Sequence, residues 1–202
     1  MSPDHRHPPG AGRSSFELLD AEQLFARLNM QPGCIIVDVG CGEGRYALPL
    51  ARRLGATGTL YALDLWEEGL TALAARARQE GLHNLRVIHQ DAGHPWPLPA
   101  DSVDLVLMAT VLHDLVEAGT APGALRETAR CLKPGGRLVL VEFKKIPGPP
   151  GPPLAVRLAP EDAAALARPF GFHATPAIDL GPYLYLATLV KNPQKGAETR
   201  KP

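Results

Sequence analysis

Apolar residues along the chain switch repeatedly between two spacings. CIIVDVG (residues 34–40) is a continuous apolar run rich in β-branched side chains, the mark of a strand buried on both faces. RYALPLARRL then carries its apolar residues at helical spacing, with Pro49 confined to the first turn, where its missing N–H is tolerated. GTLYALDL reads as a strand, EEGLTALAARARQEG as a helix closed by Gly81, and LRVIHQDA as a strand. After the Pro-rich loop HPWPLPADS come the strand VDLVLMAT, the helix ALRETARCL stopped by KPGG, and a fifth strand, RLVLVEF. Such alternation predicts an α/β fold, a doubly wound and mostly parallel sheet with helices on both faces.

The two ends depart from this rhythm. Asp20 opens DAEQLFARL with Gln23 three residues on, a helix-start signature, and Gln31-Pro32-Gly33 turns the chain into the first strand. Pro160 opens the helix APEDAAALARPF and Gly171 closes it. HATPAIDL and YLYLATLVK flank Gly181-Pro182 and predict an antiparallel hairpin at the carboxyl end. Residues 1–14 and 193–202 are expected to be disordered tails around one domain, 15–192, without internal repeats.

Composition narrows the function classes. The chain has 202 residues, 45% apolar and 21% charged, with zero formal net charge, so no basic surplus calls for nucleic acid or anionic lipid. The amino terminus has no apolar signal core, and no stretch approaches the ~18 apolar residues of a membrane span. A cytoplasmic location is expected. Cys34, Cys41 and Cys131 have no paired spacing and read as reduced thiols, with no metal site.

The loop VDVGCGEGRY carries the chemistry. In such sheets the loop after the first strand lies at the carboxyl edge, where ligands bind. A dinucleotide fingerprint is G-x-G-x-x-G, but here the glycines fall at Gly40, Gly42 and Gly44, with Arg45 at the third fingerprint position. Asp38, at the tip of the strand, would repel a pyrophosphate and attract a cation. Opposite charges ~4 Å apart interact by roughly 1 to 4 kcal/mol between bulk water and a protein surface. S-adenosyl-L-methionine, with an ammonium and a sulfonium and no phosphate, suits that charge. Asp64 ends the second strand, where an acid accepts from ribose hydroxyls in either kind of site, and Leu65 can cover the adenine face. Asp91 ends the third strand, placed to accept from the adenine amino group.

In order, VDVGCGEGRYALPLA, LYALDL, HQDAGHPWPLPADSVDLVLM and CLKPGGRLVLVEF resemble successive motifs of class I S-adenosylmethionine-dependent methyltransferases. The resemblance spans about residues 15–190 and is greatest to the small group that includes ubiquinone and menaquinone-pathway methyltransferases. It implies a seven-stranded sheet whose last strand is antiparallel. It also implies that Asp38, Gly40, Gly42 and Gly44 embrace the methionine part of the cofactor, with Cys41 and Tyr46 in the same loop and Thr110 at the fourth strand end. Asp64 would hold the ribose, and Asp91 with Ala92 would border the adenine. The partner implied is a small-molecule methyl acceptor.

The methyl group is expected beyond VDLVLMAT, at VLHDL. His113 and Asp114 are the candidate catalytic pair, since His113 titrates in the working range; the other reading of His113 is contact with the cofactor or a helix cap. The segment EFKKIPGPPGPPLAVRLAP reads as stiff and extended, either a spacer or a wall of the acceptor pocket. Lys144, Lys145 and Arg157 then hint at an acidic acceptor, and Tyr183 and Tyr185 are expected on one strand face. The cysteines do not form the thiolate set of arsenite methyltransferases, and no Asn-Pro-Pro-Tyr signature follows the fourth strand. A binding protein without catalysis and a nicotinamide oxidoreductase stay open as alternatives at this level.

Overall fold

The computed structural model describes residues 10–193. Eight strands form one sheet: β1 (Ile35–Val39), β2 (Thr59–Asp64), β3 (Leu85–His89), β4 (Val103–Ala109), β5 (Leu132–Phe143), β6 (Phe172–Ala174), β7 (Ile178–Asp179) and β8 (Leu184–Lys191). The helices are α1 (Ala21–Leu28), α2 (Ala47–Leu54), α3 (Glu67–Gln79), α4 (Leu112–Glu117), α5 (Ala121–Cys131) and α6 (Pro160–Ala167). The order across the sheet is β3-β2-β1-β4-β5-β8-β6, with β7 also on β8. β1 to β5 pair in parallel, and β8 runs antiparallel to β5, β6 and β7. The expected hairpin is there, with its first arm broken into β6 and β7, which makes eight strands where the resemblance implied seven.

Period-two alternation in the central strands feeds two cores. Ile36, Leu60, Leu105 and Val139 meet α1, α2 and α3 on one face. Val37, Val39, Val106, Met108, Leu138 and Leu140 meet α5 and α6 on the other. Asp38 therefore points to the α1–α3 side, in an otherwise apolar row. Asp20 caps α1 as its spacing predicts, accepting from the backbone of Glu22 and Gln23. Lys133-Pro134-Gly135-Gly136 does end α5, but it runs on as the start of β5, opposite a register shift at Val103 to Leu105.

Of the expected tails, residues 1–9 and 194–202 lie outside the described residues. Gly10–Arg13 make a turn, with the Arg13 N–H on the Gly10 carbonyl. No described helix is long and apolar enough to cross a membrane.

Candidate active site

β1 and β4 are neighbours whose onward connections leave in opposite directions across the sheet, so their carboxyl ends open a crevice. The glycine loop turns there by bonding to the next strand: Gly40 and Cys41 both donate to the Leu63 carbonyl, at 2.8 and 3.3 Å. The Gly42 N–H donates to Asp64 Oδ2 at 2.7 Å, while Asp64 Oδ1 accepts from the Trp66 N–H at 2.8 Å. Asp64 thus ties the loop to the start of α3, and each oxygen keeps a lone pair for a ligand.

All three glycines have positive φ, at +70°, +50° and +81° for Gly40, Gly42 and Gly44, but space limits them differently. A Cβ on Gly40 would lie 2.5 Å from Val111, and one on Gly44 would lie 2.3 Å from Leu73. A Cβ on Gly42 would meet nothing within 4 Å. Two of the glycines therefore let the loop pack against the protein itself, and Gly42 is the one with open space in front of it.

Asp38 is only 1% exposed, and its Oδ2 is buried with no hydrogen-bond partner among the described residues. Burial, reinforced by the nearby Asp64 charge, pushes its carboxyl up to about 8. A buried polar atom left unpaired is uncommon and calls for an explanation. A cationic ligand supplies one, so the residues fit S-adenosylmethionine. Cys41 and Tyr46 are buried beside it. Burial raises the Cys41 thiol, with the Asp38 and Asp64 charges adding to it. Burial likewise raises the Tyr46 phenol, against the lowering effect of its hydrogen bond with Ser15. Ser15 Oγ lies 2.8 Å from Tyr46 Oη and 3.1 Å from Thr110 Oγ1, so the segment before α1 crosses the site. Thr110 has φ +54°, a strained conformation for a β-branched residue, held by its N–H on the Val141 carbonyl at 2.7 Å.

Asp91 sits one strand further out. Its Oδ1 accepts from the Gly93 N–H at 2.8 Å and its Oδ2 lies 3.3 Å from His94 Nδ1, a local turn. Ala92 is buried and its carbonyl accepts from Trp96 Nε1, while the Leu65 carbonyl lies 3.0 Å from His89 Nε2. The Gln90 N–H on the Asp64 carbonyl joins this edge to the rest of the site.

On the other side of the crevice, His113 lies in the first turn of α4, 5% exposed. Its Nδ1 is 2.7 Å from Glu142 Oε2 and its Nε2 is 3.4 Å from Asp114 Oδ1. Burial works against a charged imidazole, but the Glu142 hydrogen bond and charge, with Asp114 and Glu117, leave its pKa raised. Asp114 is also raised, by burial first, against the pull of His113.

Three expectations need correction. Arg157 is buried and faces no acceptor: its five N–H groups donate to the carbonyls of Lys144, Ile146, Gly148, Pro150 and Pro152, at 2.7 to 3.2 Å. Lys144 bonds the Gly181 carbonyl and Asp179, and Lys145 pairs with Asp162, so none of the three cations argues for an acidic acceptor. Tyr183 precedes β8 and is exposed, whereas Tyr185 lies within the strand and is buried with its hydroxyl on the Leu158 carbonyl, so only Tyr185 is a strand residue. The sequence reasoning also missed Glu142, Ser15 and Val111. Only Glu142 left a signal, an acid inside the apolar run RLVLVEF.

The family model for a methyltransferase domain matches residues 36–136, half of the chain. The chain belongs to the methyltransferase domain family. Its relatives include the nocamycin O-methyltransferase of Saccharothrix syringae, 35% identical over 136 residues, which cover 66% of this chain and 44% of that protein. The demethylmenaquinone methyltransferase of Geobacillus stearothermophilus is 33% identical over 121 residues, 60% of this chain and 50% of that protein. The chain spans about half the length of these curated relatives. Among solved structures, a SAM-dependent methyltransferase from Aquifex aeolicus superposes with a TM-score of 0.79 at 27% identity, covering 87% of this chain and 92% of that one. The methyltransferase domain is thus of the class I, S-adenosylmethionine-dependent kind, and the nicotinamide alternative falls away.

Proposed function

We propose that this methyltransferase domain transfers a methyl group from S-adenosylmethionine to a small-molecule acceptor, with His113 and Asp114 as the proton-accepting pair. When bound, the cofactor supplies a methyl group already activated on a sulfonium. The chain's own task is then to hold, align, exclude water and take a proton. The observation that carries the reading is the unpartnered, buried oxygen of Asp38 at the tip of β1. Asp38 would face the cationic methionine part, and Gly42 would let it approach. Asp64 would accept from the ribose, with Leu65, Asp91 and Ala92 at the adenine end. Cys41, Tyr46 and Thr110 would close the methionine end. The names of the relatives, which specify nocamycin and demethylmenaquinone, support a small organic acceptor. Three free cysteines and zero net charge fit a cytoplasmic enzyme without a nucleic-acid partner.

Calorimetric titration tests the reading. S-adenosylhomocysteine is expected to bind and NADH is not. Asp64→Ala is expected to weaken binding by ~1 to 3 kcal/mol, through ribose hydroxyls left unpaired. Binding of NADH with no response to either adenosyl ligand would overturn the proposal.

A further inference from the structure

Glu142, the residue before the end of β5, is 0% exposed. A carboxylate taken fully out of water is costly unless its oxygens are satisfied. Here one residue satisfies both. Oε2 lies 2.7 Å from the His113 ring Nδ1, and Oε1 accepts the His113 backbone N–H at 3.2 Å. Ring and main chain of His113 are therefore held together from the neighbouring strand, across 29 residues of sequence. Phe143, next to Glu142, meets the imidazole edge-on at 6.5 Å and 74° and closes its flank. The opposite nitrogen, Nε2, faces Asp114, whose side chain is 32% exposed and marks the open side.

We infer that Glu142 is a positioning residue for the proton-accepting site: it takes the Nδ1–H of His113 and so presents a bare Nε2, beside Asp114, to the acidic proton of the methyl acceptor. The inference rests on the proposed acid–base role of His113 and Asp114. In the transfer step the acceptor's X–H proton passes to Nε2. Its bonding pair stays on X and forms the new bond to the methyl carbon. The carbon–sulfur bond breaks with its pair going to the departing thioether, and the proton then leaves through Asp114 to solvent.

Charge as well as shape favours this assignment. Taking the proton makes His113 an imidazolium in a site that water hardly reaches. Glu142 on β5 and Asp114 and Glu117 on α4 compensate it, and the Arg13 charge acts on Asp114 in the opposite sense to burial. A backbone carbonyl would fix the tautomer equally well but would not offset the charge. Glutamine at 142 would keep the shape, lose the charge and turn an NH2 group toward one of the two donors.

Nuclear magnetic resonance of the full chain, with its seven histidines nitrogen-15 labelled, reads this directly. His113 is assigned through His113→Asn. In the wild type, His113 is expected to titrate above the ordinary histidine value and, once neutral, to carry its proton on Nδ1. In Glu142→Gln its proton affinity is expected to fall about tenfold or more, the effect of removing one close opposite charge, while the other histidines keep theirs. A neutral His113 protonated on Nε2 in the wild type overturns the inference, as does an unchanged midpoint in folded Glu142→Gln. If Glu142→Gln does not fold, the wild-type tautomer decides alone. S-adenosylhomocysteine binding is measured on the same wild-type sample. Loss of that binding with the Nδ1–H signature intact refutes the proposed function and leaves the Glu142–His113 contact standing.

Discussion

The carboxylate of Asp38 concentrates the electrostatics of the site in one residue. Its pKa rises from 3.8 to about 8, through burial first and the Asp64 charge second. The folded protein therefore holds a proton that the unfolded chain has lost between those values, so stability falls as pH rises across that window. The urea-unfolding free energy of the ligand-free protein is expected to decline from pH 5 to pH 8, and Asp38→Asn to flatten the decline. The ammonium that S-adenosylhomocysteine shares with the cofactor favours the ionised form, so its affinity should climb with pH up to about 8 in the wild type, and much less in Asp38→Asn. Wild-type affinity that is level across that range would exclude Asp38 from the site. Gly40 makes a separate point. Gly40→Ala drives a methyl to 2.5 Å from Val111 and is expected to lose ~1 to 3 kcal/mol of stability in urea titrations. Gly42→Ala, open in front, should lose less stability and more ligand affinity. The charge of Asp38 was legible in the sequence because strand tip and glycines are neighbours in the chain. Val111 against Gly40 and Glu142 against His113 were not, because each contact depends on which strands lie side by side.

Among the elements, the segment between β5 and α6 differs most from its sequence reading. Prolines at 147, 149, 150, 152 and 153 by themselves imply a stiff, extended run. Proline contributes a carbonyl but no N–H, so this loop is rich in acceptors and poor in donors. Arg157 supplies the missing donors, and its five N–H groups match the five carbonyls it meets. The run therefore curls around one guanidinium, which also lies 5.6 Å from the Phe143 ring centre. Arg157→Gln removes charge-assisted bonds worth roughly 1.5 to 3 kcal/mol each, partly recovered by water. An overall loss of about 2 to 4 kcal/mol is expected by urea unfolding. Faster protease cleavage between residues 144 and 157, mapped by mass spectrometry, would accompany it. Sequence periodicity cannot show such a hub, because the arginine follows the run it organises and carbonyls leave no mark in residue types. The parallel strands and their helices were legible, since burial on both faces imposes apolar runs and helix burial imposes its own spacing.

At the scale of the molecule, the carboxyl edge divides its labour. Asp38, Asp64 and Asp91 lie at the ends of β1, β2 and β3, while β4 and β5 bring His113, Asp114 and Glu142 together; the proposed function puts the cofactor at the first set and the acceptor at the second. A ligand that binds only the folded protein stabilises it by mass action, by about 2.7 kcal/mol at one hundred times its dissociation constant. For a domain of this size, S-adenosylhomocysteine at that excess is expected to raise Tm by roughly 5 to 10 °C. A thermal-shift series checks this, and a flat series would count against a formed cofactor site. The proline-rich segment has a bearing on how such a protein changes over generations. Its curvature is written in main-chain carbonyls gathered on Arg157 and in the positive φ of Gly148 and Gly151, so the intervening side chains are not needed to maintain it. Ile146 and Leu154, both outward-facing, can be exchanged while the contour persists. A lineage can then alter the outward face of this segment without rebuilding its contour, while the rest of the fold stays fixed.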